Sequence, residues 1–245
     1  MGRSRPRQCF VTVSSPYALA LILRGWMVSH VPSYQLIPDK RPCNGAGFVC
    51  FSKELVVPGT EGEEQLVEIV EYAEKAVGAM GFQNGAIHAE IMYTARGPVL
   101  VEINCRLHGG NGAWVQPANI CIGYDQLSIF MDCYLNDGRD LWQSIPSRPE
   151  RARAWCHQVK MRSFISGTLD SVIPHQWARI ENLSSYVDHT FGVRPGDQLL
   201  KTIDMPSVPG EITLIHKDKA VLAKDYETLN SILREGIFQV VEENR

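Results

Sequence analysis

The feature that most constrains this 245-residue chain is a pair of strand-like runs, residues 86 to 94 and 98 to 104, that meet at Arg96-Gly97-Pro98. Alternation of apolar and polar residues marks each run as a β-strand. A three-residue connection, Ala95-Arg96-Gly97, needs a positive φ at its last position, and Gly97 supplies it. Residue 94 then opposes 98, Glu90 faces Glu102, and His88 faces Asn104. Side chains alternate faces along a strand, so His88, Glu90, Glu102 and Asn104 share one face, with Arg106 following on. Ile87, Ala89, Ile91, Val99, Val101 and Ile103 take the other face, which reads as core. The same parity sends Cys105 toward the core.

Two like charges directly opposite one another destabilise a strand pair, so something must offset the Glu90–Glu102 juxtaposition. A shared proton is one solution. A divalent cation is another, and the oxygen-only set of Glu90, Glu102 and Asn104 suits hard Mg2+. Arg106 is then placed to hold developing negative charge. A solvated polar sheet face explains the same pattern without any ligand, and a one-residue slip in register would separate the two carboxylates.

Composition narrows the classes of partner. Hydrophobic residues make up 44% and the formal net charge is −3, so average charge supports neither nucleic acid nor an anionic membrane. No apolar run reaches the roughly 18 residues of a membrane helix. Seven cysteines without a C-x-x-C pair read as reduced thiols of a cytoplasmic protein, not as a disulfide frame or a zinc site. The basic start, MGRSRPRQ, lacks both a signal-peptide core and a myristoylation pattern.

The rest of the chain reads as α+β. Residues 9 to 31 suggest two strands broken at Ser14-Ser15-Pro16, and the prolines and glycines of 32 to 47 suggest loop, followed by a short strand, GFVCFS. Leu66, Val67, Ile69, Val70, Ala73, Ala76, Val77 and Met80 form one helical face, with Gly81 as its C-cap. A further helix is expected over 117 to 135. Residues 144 to 151, SIPSRPER, are the candidate linker. Beyond it, WCHQVKMRSFI, VRPGDQLL and PSVPGEITLIH read as strands, SGTLDSV as a turn, and YETLNSILRE as a helix capped by Asp225 and closed by Gly236. No catalytic constellation stands out in this second part.

The segment GFQNGAIHAEIMYTARGPVLVEINCRLHGG resembles the metal-binding segment of the ATP-grasp superfamily, in which a glutamate is followed after a fixed gap by Glu-x-Asn-x-Arg. Here the matching residues are Glu90, Glu102, Asn104 and Arg106. The preceding G-x-x-H-x-E, the following R-x-H-G-G, and the stretches VTVSS, NGAGFVCF, CIGYDQL, VRPGD and PGEITLIHKD resemble the L-amino-acid ligase (dipeptide synthase) branch.

The resemblance implies the C-terminal ATP-grasp subdomain with an antiparallel sheet over residues 1–145, and a small α+β domain over 152–245. It implies ATP and Mg2+ or Mn2+ as cofactors, with Glu90, Glu102 and Asn104 as metal and nucleotide ligands and Arg106 and His88 as catalytic residues. His108 and the loop Gly109-Gly110-Asn111-Gly112 would wrap the substrate. The expected activity is an ADP-forming carboxylate–amine ligase acting through an acyl phosphate, with amino acids as substrates. The segments that clamp the nucleotide in that superfamily find no match here. The expected partners therefore include a missing N-terminal segment or a second copy, and a non-catalytic binding remnant is the alternative.

Overall fold

The computed structural model describes residues 9–17, 34–56, 63–82, 85–109, 112–135, 144–145 and 151–241. They fall into two compact units, Met1–Ile37 with Leu55–Arg153, and Pro38–Glu54 with Ala154–Arg245.

In the first unit, β1 (Cys9–Tyr17), β4 (Gly85–Thr94) and β5 (Gly97–Asn104) form a sheet ordered β5-β4-β1, with the start of β2 (Tyr34–Cys43) beside β1. All of these pairings are antiparallel. β1 has no break at Ser14-Ser15-Pro16: it pairs with β4 from Cys9 opposite Tyr93 to Tyr17 opposite Gly85. The expected second strand over 18 to 31 lies outside the described residues.

Helix α1 (Glu63–Ala79) covers one face of this sheet. Its Ile69, Ala73 and Val77, spaced by one helical turn, pack on Ile87, Ala89 and Ile91, spaced by two along β4. Burying an isoleucine of this kind contributes roughly 1.5–3 kcal/mol. Met80 lies past the helix end and is exposed, unlike the core residue expected there. Gly81 has a φ of 70°, and Phe82 N–H donates to the Val77 carbonyl at 3.4 Å, which closes the helix as a glycine C-cap does. The single helix expected over 117 to 135 is two helices, α2 (Val115–Ile122) and α3 (Gln126–Leu135). Gly123 (φ 88°) ends the first. Asp125 caps the second, accepting from the Leu127 and Ser128 N–H groups.

The second unit has a sheet ordered β2-β3-β6-β10-β8, from β3 (Ala46–Val56), β6 (Trp155–Lys160), β10 (Gly210–His216) and β8 (Tyr186–Phe191). A smaller sheet is ordered β11-β7-β9, from β11 (Phe238–Val240), β7 (Gly167–Val172) and β9 (Gln198–Leu199). The loop expected over 32 to 47 is largely strand. Asn44 and Gly45 carry φ of 48° and 85°, which matches a tight hairpin turn. Pro38 and Pro42 lie beyond the β1–β2 ladder, which runs from Tyr34 to Leu36, so their missing N–H groups cost no bond to β1. SGTLDSV is strand β7 instead of a turn, and VRPGDQLL yields only the two residues of β9.

Helix α4 (Pro174–Glu181) opens on a proline at its first turn. Helix α5 (Lys219–Glu235) starts earlier than expected, because Asp218 is its N-cap and accepts from Ala220 N–H at 2.8 Å. Asp225 lies inside that helix and accepts from Ser185 N–H. Leu222, Leu229 and Leu233 of α5 pack with Val159, Met161, Ile212 and Leu214 in this unit's core. A buried cation accompanies them. Arg162 stacks on the Phe51 ring at 4.0 Å and donates to the Lys160 carbonyl and the Asn230 Oδ1. Burial lowers its guanidinium to about 10.

Candidate active site

The β4–β5 hairpin determines the geometry of the site. His88 pairs with Asn104 and Glu90 with Glu102, as expected. Nearer the turn the register differs by one: Thr94 pairs with Gly97 and Ile91 with Leu100, with an irregularity between Glu90 and Ile91. Gly97 has a φ of 92°, consistent with the glycine position of a type I turn followed by a bulge.

The extra residue in β5 has a direct consequence. Leu100 and Ile103 both pack against the α1 side, a spacing of three that a regular strand cannot place on one face. Val99 and Val101 are consequently exposed, 39% and 49%, and not in the core where strict alternation put them. Leu100 N–H donates to the Tyr72 hydroxyl of α1 at 3.1 Å, so the helix satisfies a strand donor at the bulge. Periodicity alone did not single out Tyr72 as the partner of this strand donor. Cys105 is likewise exposed, because the strand ends at Asn104 and parity no longer applies.

The face of β4 opposite α1 carries His88, buried at 5%, and Glu90, half-buried. Across from them, Glu102 is exposed and Asn104 half-buried. Asn104 Nδ2 donates to Glu102 Oε1 at 2.8 Å, which orients the carboxamide with respect to the carboxylate. Arg106 N–H donates to the Asn104 carbonyl at 2.9 Å, and its exposed guanidinium donates through Nη1 to the Leu107 carbonyl at 3.0 Å. The ring of His108, buried at 8%, meets that of His88 edge-on at 4.9 Å and 78°. The structure therefore brings His88, Glu90, Glu102 and Asn104 together by pairing, with Arg106 and His108 on the turn that follows. Gly110 and Asn111 of the expected substrate loop lie outside the described residues.

No family model matches the chain. Its structure is similar to that of L-amino acid ligase from Bacillus licheniformis, with a TM-score of 0.70 and 16% identity over 97% of this chain and 52% of that one. The chain has an ATP-grasp fold. Phosphoribosylglycinamide synthetase from Anaerococcus prevotii shares it at a TM-score of 0.67 and 13% identity, covering 95% of this chain and 53% of that chain. In sequence, 161 residues are 27% identical to dapdiamide A synthase from Enterobacter agglomerans, covering 66% of this chain and 37% of the relative. The chain spans about half the length of the solved structures it matches, and 37% of that curated relative.

The donor chemistry of this face fits a hard divalent cation. Two carboxylates and one amide oxygen lie on adjacent strands, and one hydrogen bond ties the amide to a carboxylate. Among the described residues, no group of three or more His, Cys, Asp or Glu is placed to hold a metal. Among the described residues, Cys43, Cys50, Cys105, Cys121 and Cys133 are free thiols. No helix among the described residues is long and apolar enough to cross a membrane.

Proposed function

We propose that the chain is the catalytic portion of an ADP-forming, ATP-dependent carboxylate–amine ligase whose substrates are amino acids. The observation that carries the reading is the facing of Glu90 and Glu102, with Asn104 bonded to Glu102, on the sheet face opposite α1 of an ATP-grasp fold. In this reading Glu90, Glu102 and Asn104 would hold Mg2+ or Mn2+, which when bound would supply Lewis-acid charge for the phosphoryl transfer.

Arg106 binds the anionic oxygens of the acyl phosphate and then of the tetrahedral species formed by amine attack. One guanidinium nitrogen is engaged with Leu107, and Arg carries five N–H donors in all. The substrate carboxylate takes the terminal phosphoryl group and ADP leaves; the amine then displaces phosphate. His88 orients the ligand set from the same sheet face, since its buried ring lies next to Asn104 in register and against His108. Residues 1–145 are the C-terminal part of the ATP-grasp domain, with 38–54 contributing to the second compact unit, and residues 152–245 are the small α+β domain. The partners are an amino-acid carboxylate, an amine, and a further ATP-grasp segment or a second copy completing the nucleotide clamp. The compartment is the cytoplasm.

The test is ADP formation by the full chain in the presence of amino acids, with hydroxylamine as the amine. Amino-acid-dependent hydroxamate, lost in Glu102→Ala and in Arg106→Ala, supports the ligase. AMP as the product, or nucleotide turnover indifferent to amino acids, overturns it. Binding of Mg·ATP without turnover would leave a nucleotide-binding module.

A further inference from the structure

Gln126 is an unexpected residue for its place. It opens α3, it is 4% exposed, and burying a carboxamide is unfavourable unless its groups are bonded. Its Oε1 accepts from His108 N–H at 2.9 Å, and its Nε2 donates to the His108 carbonyl at 3.2 Å. The side chain thus makes to the His108 backbone the two hydrogen bonds that a neighbouring strand would make. We propose that Gln126 is a positioning residue that sets the Arg106–His108 turn against the Glu90/Glu102 face. Its chemical consequence rests on the ligase reading; its geometry does not.

The turn is anchored at both ends. At the near end Asn104 is held in β5 opposite His88. At the far end Gln126 holds His108. Only Cys105, Arg106 and Leu107 lie between, and Arg106 N–H is bonded back to the Asn104 carbonyl. So short a span with fixed ends has few conformations left, and the place of Arg106 follows from the place of His108.

Gln126 is itself rigidly mounted. Gly123 N–H closes α2 on the Ala118 and Asn119 carbonyls. The fully buried Asp125 caps α3 and also accepts from Asn119 Nδ2 at 2.5 Å. From this corner, Gln126 fixes His108, and the His108 ring packs edge-on against His88 on the carboxylate-bearing strand.

Two substitutions test the assignment in the full chain. Gln126→Leu keeps the buried volume and removes both hydrogen bonds; Gln126→Glu keeps the acceptor. Imidazole proton resonances report the His88–His108 ring contact, and calorimetric titration with Mg·ATP reports the site. In Gln126→Leu, the mutual ring-current shifts of the two imidazoles should collapse while the methyl signals of Ile69 and Ile91 stay in place. Affinity for Mg·ATP should fall about tenfold, with Gln126→Glu in between. Ile129→Val, a core change in the same helix at a residue 1% exposed, should leave the imidazole shifts unchanged. Unchanged imidazole shifts in Gln126→Leu, or equal shifts in Ile129→Val, would overturn the proposal. If the imidazoles respond but the wild-type chain binds no Mg·ATP, the positioning role stands and the ligase reading fails.

Discussion

The sharpest consequence of the β4–β5 pairing is that replacing one of its two facing charges should stabilise the metal-free protein. Glu90 and Glu102 are directly paired on adjacent antiparallel strands, where facing Cβ atoms sit about 4.5–5.5 Å apart. Taking the carboxylates at about 6 Å in a nearly aqueous environment, Coulomb repulsion amounts to about 0.7 kcal/mol. Glu102 is exposed, so the watery limit is the appropriate one. Glu102→Gln removes this repulsion and keeps an oxygen to accept from Asn104 Nδ2. In a chelator and at low salt it should raise the midpoint of thermal unfolding by ~1–3 °C. The gain should shrink in ~1 M NaCl, where the screening length is ~3 Å. With millimolar Mg2+ the order should reverse, because the wild type then gains binding energy that the variant forgoes. Thermal melts followed by circular dichroism under these conditions decide the matter. A midpoint that falls in the variant without metal, or a gain indifferent to salt, would refute the claim that the carboxylates confront each other.

Three further perturbations test other parts of the account. Ile91→Ala, at a fully buried position between Ile69, Ala73 and Val77, should cost ~2–5 kcal/mol in urea unfolding. Gly97→Ala meets no atom within 4 Å but must adopt a φ of 92°, so it should cost about 1–2 kcal/mol through the backbone alone, measured in the same way. Burial lowers the His157 imidazole to about 4, below its ordinary 6.5, so the unfolded chain binds the extra proton between these values. The stability from His157 is therefore complete above ~6.5 and lost as pH falls toward 4, about 3 kcal/mol in all; His157→Phe should flatten that part of the pH profile of urea unfolding.

The residues that identify the site were legible in the sequence because they are set by local rules. Period-two alternation puts His88, Glu90, Glu102 and Asn104 on one face; the expected three-residue loop gives their pairing, and the structure reaches the same pairing through a shorter loop and an extra residue in β5. Helix α1 was legible for a similar reason, since Ile69, Ala73 and Val77 repeat with the helical period. The bulge was not legible, because it depends on a tertiary partner: the Tyr72 hydroxyl receives the Leu100 N–H, and Val99 and Val101 turn to solvent as a result. The corner between α2 and α3 was hidden inside an apolar run, although Gly123 and Asp125 carry the stop and start signals. In the second unit, the Asn44-Gly45 hairpin was obscured by Pro38 and Pro42, and α5 begins at the Asp218 cap instead of at Asp225. Gln126 was invisible as a positioning residue because its two hydrogen bonds reach back 18 positions along the chain.

The central claim is that the face carrying Glu90, Glu102 and Asn104 holds a nucleotide-bound divalent cation. Calorimetric titration of the full chain with Mg·ATP, against Glu102→Ala as the paired control, tests it most directly. The wild type should bind saturably in a manner that needs the metal, and binding should disappear in the variant. A folded wild-type chain that takes up no Mg·ATP, or a Glu102→Ala chain that binds it equally well, would contradict the account.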